Sequence, residues 1–202
     1  MENNKDSEKL VIGIQGGPGS FNEEAAHWYA KGHRIPNYEL SYCYTTDKVL
    51  ALLAEHKIDR GIFAIQNSVG GMVDESIYAM GRQLFEIVDQ FEIIVNHNLL
   101  VLPGIEMDGI VTIMSHPQAL AQCKSTLSLQ YPDKNLRSGE GELIDQAMAA
   151  KALSEGQLPE TTAVLASQAA ADLYELNILD RGLQDKTENY TTFLFVSNLK
   201  PE

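Results

Sequence analysis

A chain of 202 residues carries 15 Lys plus Arg against 28 Asp plus Glu, a formal net charge of −13, with 44% hydrophobic residues and two cysteines. Such a surface repels nucleic acid and anionic lipid, and the apolar runs are too short to span a bilayer, so neither nucleic acid nor a membrane is expected as a partner. Two cysteines make no disulfide framework, and the polar start over residues 1–9 has no apolar core of a signal peptide; a disordered tail and a cytoplasmic protein with buried thiols are expected.

Residues 10–15 read as a first strand stopped by Gly16-Gly17-Pro18-Gly19. Ser20 has Glu23 three residues on, the spacing of a capping box, before a helical run over 24–31. A strand, a glycine loop and a capped helix aim backbone N–H groups at one point, which serves either as an anion site or as an ordinary cap. Residues 38–44 read as a second strand, and a helix after Thr46 has Val49, Leu50, Leu52, Leu53 and Ile58 on one face.

Gly61-Ile62-Phe63-Ala64-Ile65 is an apolar run that stops at Gln66, Asn67 and Ser68 and then at Gly70 and Gly71. It reads as a buried parallel strand whose polar end opens into a loop, the position at which open α/β sheets bind ligands. A helix over 74–82 begins with Asp74 and Glu75, where negative charge suits the macrodipole. Alternating strands and helices of this kind predict an α/β fold with a parallel sheet.

Residues 84–103 change to a long extended stretch, read as the crossing into a second lobe. A strand over 110–114 follows, then a helix from Ser115-His116-Pro117 through Leu129 with proline in its first turn. A short strand at 135–138, a helix over about 143–154, a strand at 162–166, a helix at 168–174 and an apolar segment at 176–179 complete that lobe. The strand at 191–196 returns to the first one. The expected division is a tail at 1–9, a first lobe from 10–87 plus 182–202, and a second lobe from 88–181.

The five histidines are never spaced as i, i+3 or i, i+4, so no metal site is expected. No Gly-x-Ser-x-Gly elbow supports a nucleophile. What remains is a set of hydroxyl, imidazole and amide groups at strand ends and helix starts: Ser20, Asn22, Gln66, Asn67, Ser68, Ser115, His116, Gln118, Thr191 and Thr192. Groups of this type bind oxyanions and donate hydrogen bonds to a leaving hydroxyl.

Four segments carry a resemblance to the prephenate dehydratase catalytic domain, over about residues 11–196. Gly17-Pro18-Gly19-Ser20-Phe21-Asn22 resembles its Gly-Pro-x-Gly-Thr-Phe-Ser opening, shortened by one residue. Ile65-Gln66-Asn67-Ser68 with Gly71 resembles Ile-Glu-Asn-Ser, residues 115–123 are similar to its Ser-His-Pro-Gln segment with the downstream Gln-Cys, and Gln184-Asp185, Asn189 and Thr191-Thr192-Phe193 resemble its closing signature.

The resemblance implies two α/β lobes like those of a type II periplasmic binding protein, with the site in the cleft between them. It implies conversion of prephenate, a small dicarboxylate, to phenylpyruvate with loss of CO₂ and water in phenylalanine biosynthesis, with no cofactor. Thr191, Gln66 and Gln118 are then the expected catalytic residues, and Ser20, Asn22, Asn67, Ser68, Ser115, His116, Thr192 and Phe193 the expected substrate contacts. The C-terminal ligand-sensing ACT domain and a preceding chorismate mutase segment are expected to be missing, and the domain itself is expected to form a homodimer or homotetramer.

Thr192 stands where the family has Arg, Gln66 where it has Glu, and Asp145-Gln146 near a usual Ser-Thr pair. On the expectation that Gln66 and Thr192 face the substrate, Thr192→Arg with Gln66→Glu raises dehydration. Two other readings stay open on the residues: an enzyme of this fold that decarboxylates prephenate without aromatisation, and a non-catalytic protein that binds a small carboxylate.

Overall fold

The computed structural model describes residues 9–199, with seven α-helices and eleven strands arranged around two sheets. In the first part of the chain β1 (Leu10–Ile14), β2 (Tyr38–Tyr42) and β3 (Arg60–Asn67) alternate with α1 (Phe21–Gly32) and α2 (Thr46–Ala54), followed by the two-residue β4 (Gly71–Met72), α3 (Asp74–Met80) and β5 (Glu86–Ile94). β1 pairs in parallel with both β2 and β3. The second part comprises β6 (Asn98–Val101), β7 (Thr112–Ser115), α4 (Pro117–Gln122), α5 (Lys124–Gln130), β8 (Asn135–Ser138), α6 (Gln146–Ser154), β9 (Thr162–Ala166), α7 (Gln168–Leu173) and β10 (Asn177–Asp180). β11 (Tyr190–Ser197) then inserts antiparallel between β3 and β5, completing the order β2-β1-β3-β11-β5. The second sheet runs β10-β6-β9-β7-β8.

Each sheet is covered on both faces at its centre, which is why inner strands such as β3, β9 and β11 are largely apolar rather than alternating. In the first lobe Ala25, Ala26 and Tyr29 of α1 pack on Ile12, Ile62, Phe193 and Phe195, while Val49, Leu50 and Leu53 of α2 meet Phe63, Leu194 and Val196 on the other side. In the second, the alanine-rich α6 lies on Leu100, Met114 and Val164, and Cys123 and Leu127 lie under Leu99, Ile113 and Leu165. Both cysteines are buried, and burial pushes the Cys123 thiol up to about 12.

Several expected boundaries move for identifiable reasons. The break at 87/88 shifts to residues 95–97, because β5 pairs along its whole length with β11 and belongs to the first sheet. The return shifts from 182 toward 189: Leu183 packs in the second lobe's core, and Asp185 accepts from the N–H groups of Ser125 and Thr126. That same carboxylate explains why the helix expected from Pro117 through Leu129 is two. The chain turns at Cys123, and Asp185 caps a fresh helix start after it. α6 begins at Gln146 rather than near 143 because the Asp145 carboxylate accepts from Met148 N and fixes the cap there. Residues 1–8 of the expected tail lie outside the described residues, and Lys9 is paired with Glu39 at 2.6 Å.

Candidate active site

Strand and helix ends from both lobes converge on one cavity of about 450 Å³. The first lobe brings the loop and first turn of α1 (Gly19, Ser20, Phe21, Asn22), Ala64 and Asn67 of β3, Gly70 of the following turn, and Thr191 and Phe193 of β11. The second brings His116, Gln118 and Gln122 around α4, Asp145 and Gln146 at the start of α6, and Ser167. His97, in the crossing segment, lies between them.

The lobes meet along one edge of this cavity. The Ser167 hydroxyl donates to Gly19 O at 2.6 Å and the Tyr174 hydroxyl to Pro18 O at 3.3 Å. Ser20 caps α1 by accepting from Glu23 N, and the Glu23 carboxylate accepts from Gly19 N and from the Tyr42 hydroxyl. The first N–H groups of α1, which have no partner within a helix, are thereby held at the cavity wall.

Thr191 is the best-defined hydroxyl. Its Oγ1 accepts from Asn67 Nδ2 at 2.9 Å, and Asn67 Nδ2 also reaches Asn189 Oδ1 at 2.8 Å and Tyr190 O at 3.2 Å. Asn67 Oδ1 accepts from the backbone N–H groups of Val69 and Gly70 at 3.0 and 2.7 Å, so the side chain cannot turn over without losing both. With a lone pair of Thr191 taken, its O–H is left to donate into the cavity.

The cavity wall holds no lysine or arginine among the described residues, and Asp145 is its one carboxylate. No group of three or more His, Cys, Asp or Glu positioned to hold a metal occurs among the described residues either. Burial holds His97 below the ordinary histidine range, against a hydrogen bond to Gln122 that acts the other way, so its imidazole is neutral near pH 7. The groups this wall offers to an anion are therefore neutral donors and helix N–H groups.

The prephenate dehydratase family model matches residues 12–201. The chain belongs to the prephenate dehydratase family. It is 36% identical over 188 residues to arogenate dehydratase 5, chloroplastic, of Arabidopsis thaliana, covering 93% of this chain and 42% of that protein. It is 32% identical over 188 residues to arogenate dehydratase/prephenate dehydratase 6, chloroplastic, of the same plant, covering 93% and 43%. The chain thus spans less than half the length of these relatives. Among solved structures, the prephenate dehydratase of Arthrobacter aurescens in complex with L-Phe superposes with a TM-score of 0.83 at 23% identity, over 95% of this chain and 61% of that one, and so shares the two-lobed fold.

Within this prephenate dehydratase domain, Thr191, Gln118, Ser20, Asn22, Asn67, His116 and Phe193 line the cavity, and Gln66, Ser68, Ser115 and Thr192 do not. Gln66 is exposed and pairs across strands with Thr192 and Met72. The cause is a β-bulge: Thr192 opposes Gln66 but Phe193 opposes Ala64, leaving Ile65 as the extra residue. Ala64 and Asn67, three apart, face the cavity, whereas plain alternation from Ala64 would have turned Gln66 inward. Thr192 points to the opposite face from Thr191 and donates to Glu92 at 2.9 Å. Ser68 ties strand ends together, accepting from Tyr190 N and donating to Glu188 O. Ser115 is fully buried behind Gln146, from which it accepts at 2.9 Å.

The family departures at Gln66 and Thr192 are consequently outside the cleft. Gln66→Glu with Thr192→Arg is expected to leave kcat/KM at the wild-type level, contrary to the gain expected from sequence. Thr192 is buried and donates to Glu92, so an arginine there must displace that contact to reach solvent, and a lower melting temperature is expected. Steady-state kinetics beside a thermal melt checks this, and a raised kcat would return both positions to the site.

Sequence reasoning missed Phe21, His97, Gln122, Asp145, Gln146 and Ser167. Gln122 was within the Gln-Cys pair of a matching segment, and Asp145-Gln146 was a visible departure. In the sequence His97 is one of five scattered histidines, and nothing local marks a buried crossing residue as part of a site.

Proposed function

We propose that this domain converts prephenate or its amino counterpart arogenate to the corresponding aromatic acid, with loss of CO₂ and water. Relatives carrying both names support the substrate class. The observation that carries the reading is the Thr191 hydroxyl, oriented by Asn67 and facing a cavity shared by both lobes.

In this reaction the bond between the ring and its carboxylate breaks, its electron pair enters the ring, and the C–O bond opposite breaks with release of hydroxide. Thr191 donates a hydrogen bond to that departing oxygen as charge develops, and the proton taken up to form water comes from solvent in the cleft. Ser20, the N–H groups at the start of α1, and the amides of Gln118 and Gln122 are the donors for the substrate carboxylates. Rearomatisation supplies the driving force, so hydrogen-bond donors positioned for the leaving group suffice. Decarboxylation without aromatisation rested on Gln66 and Thr192, and both lie away from the cavity.

Incubation of purified protein with prephenate and, separately, arogenate, following phenylpyruvate and phenylalanine against the spontaneous rate, tests the reading. Saturable binding of either compound without turnover would overturn it in favour of a non-catalytic carboxylate-binding protein. The homodimer or homotetramer belongs to the same proposal. β5 is an edge strand with Ile87, Val88 and Ile94 exposed, and light scattering of the purified chain reads the mass directly.

A further inference from the structure

A continuous chain of neutral side chains runs along the cavity wall from one lobe to the other, and its polarity is fixed at both ends by backbone groups. At the first-lobe end the N–H groups of Val69 and Gly70 can only donate, so the atom of Asn67 facing them is its oxygen. Its nitrogen then faces Asn189, which must present Oδ1, at 2.8 Å. Asn189, fully buried, turns Nδ2 to Gln122, which must present Oε1, at 3.0 Å. Leu165 O, at the second-lobe end, can only accept, so Ser115 donates to it at 2.9 Å and accepts from Gln146 Nε2 at 2.9 Å. Gln146 Nε2 directs its other hydrogen at His97 Nδ1, 3.4 Å away. The imidazole therefore carries its hydrogen on Nε2 and donates it to Gln122 Oε1 at 2.9 Å.

Both halves end on one atom. Gln122 Oε1 receives one donor from each direction, and turning its amide over would oppose nitrogen to two N–H groups at once. We infer that His97 is a positioning residue: with Asn189 it locks Gln122 so that the carboxamide nitrogen faces the cavity, where it donates to a substrate carboxylate. Phe21, edge-on to the imidazole with ring centroids 5.5 Å apart, holds the ring in this plane. Burial keeps it neutral, which the Nδ1 acceptor role requires, because a proton there would oppose the Gln146 amide.

The role of the amide rests on the dehydratase reading; the tautomer and the locked amide do not. His97→Phe removes the donor, and His97→Gln returns a nitrogen near the position of Nε2. The phenylalanine variant is expected to lose about 10- to 100-fold in kcat/KM, mostly through KM, with the glutamine variant recovering most of it. In a Gln122→Leu background the His97→Phe change is expected to cost nothing further, whereas a merely structural role would lower both backgrounds alike, and that result would overturn the inference. Nitrogen-15 spectra of the wild-type imidazole are expected to show the Nε2–H tautomer at neutral pH, and the Nδ1–H tautomer would refute it whether or not the protein turns over substrate. Absence of turnover on both prephenate and arogenate, with the Nε2–H tautomer present, would remove the dehydratase reading and leave the locked amide standing.

Discussion

Thr191→Val is expected to lower kcat by about 10²- to 10³-fold, the range for removal of one positioned hydrogen-bond donor to developing negative charge, with KM changed far less. Valine matches threonine in shape and in β-strand preference, so β11 keeps its pairing. Asn67 Nδ2 loses one acceptor and keeps Asn189 Oδ1 and Tyr190 O, so the cost in stability is about 1 kcal/mol. Thr191→Ser keeps the hydroxyl and is expected to retain most of the activity. Kinetics on all three proteins, with melts to confirm folding, decide the matter: wild-type turnover in the valine variant would remove Thr191 from the chemistry.

Gly19→Ala is expected to damage both binding and lobe contact. Gly19 has φ +80°, a conformation that costs an L-residue about 1–2 kcal/mol. An added Cβ would lie 3.1 Å from the Ala170 Cα and 3.3 Å from both the Ala170 Cβ and the Tyr174 ring, all on the other lobe. Backbone at α7 cannot yield as a flexible side chain would. The lobes must part there, weakening the Ser167 bond to Gly19 O and misaligning the start of α1 against Gln118 and Gln122. The expected outcome is a higher KM, a lower kcat and a lower melting temperature together. An alanine variant indistinguishable from wild type in all three would mean that this contact does not set the cleft. Gly32, whose added Cβ meets nothing within 4 Å, provides the control substitution.

Much of the fold was readable because burial writes itself into apolar runs. β1, β3, β9 and β11 are such runs, and the cap at Ser20 and the proline after His116 mark helix starts. The crossing was harder. β5 combines exposed Ile87 and Val88 with buried Phe91 and Ile93, a pattern that identifies a strand but not its sheet. For the site, the polar stop after Ile65 located the right strand end, yet which of Gln66 and Asn67 faces inward depends on a bulge set by pairing with residues more than 120 positions away. Asp185 is similarly remote from the helix it caps, and no local window contains both partners. His97, which acts through long-range pairing, left no local trace, and Asn189 was visible only as part of the closing signature.

The central placement of β11 also dictates an order of assembly. Residues 98–180 contain all five strands of their own sheet, whereas β3 and β5 have no neighbour to share until Tyr190–Ser197 join them. Nascent first-lobe strands must wait with an open seam, and that interval is when the molecule is most exposed to chaperones and to mispairing with other chains.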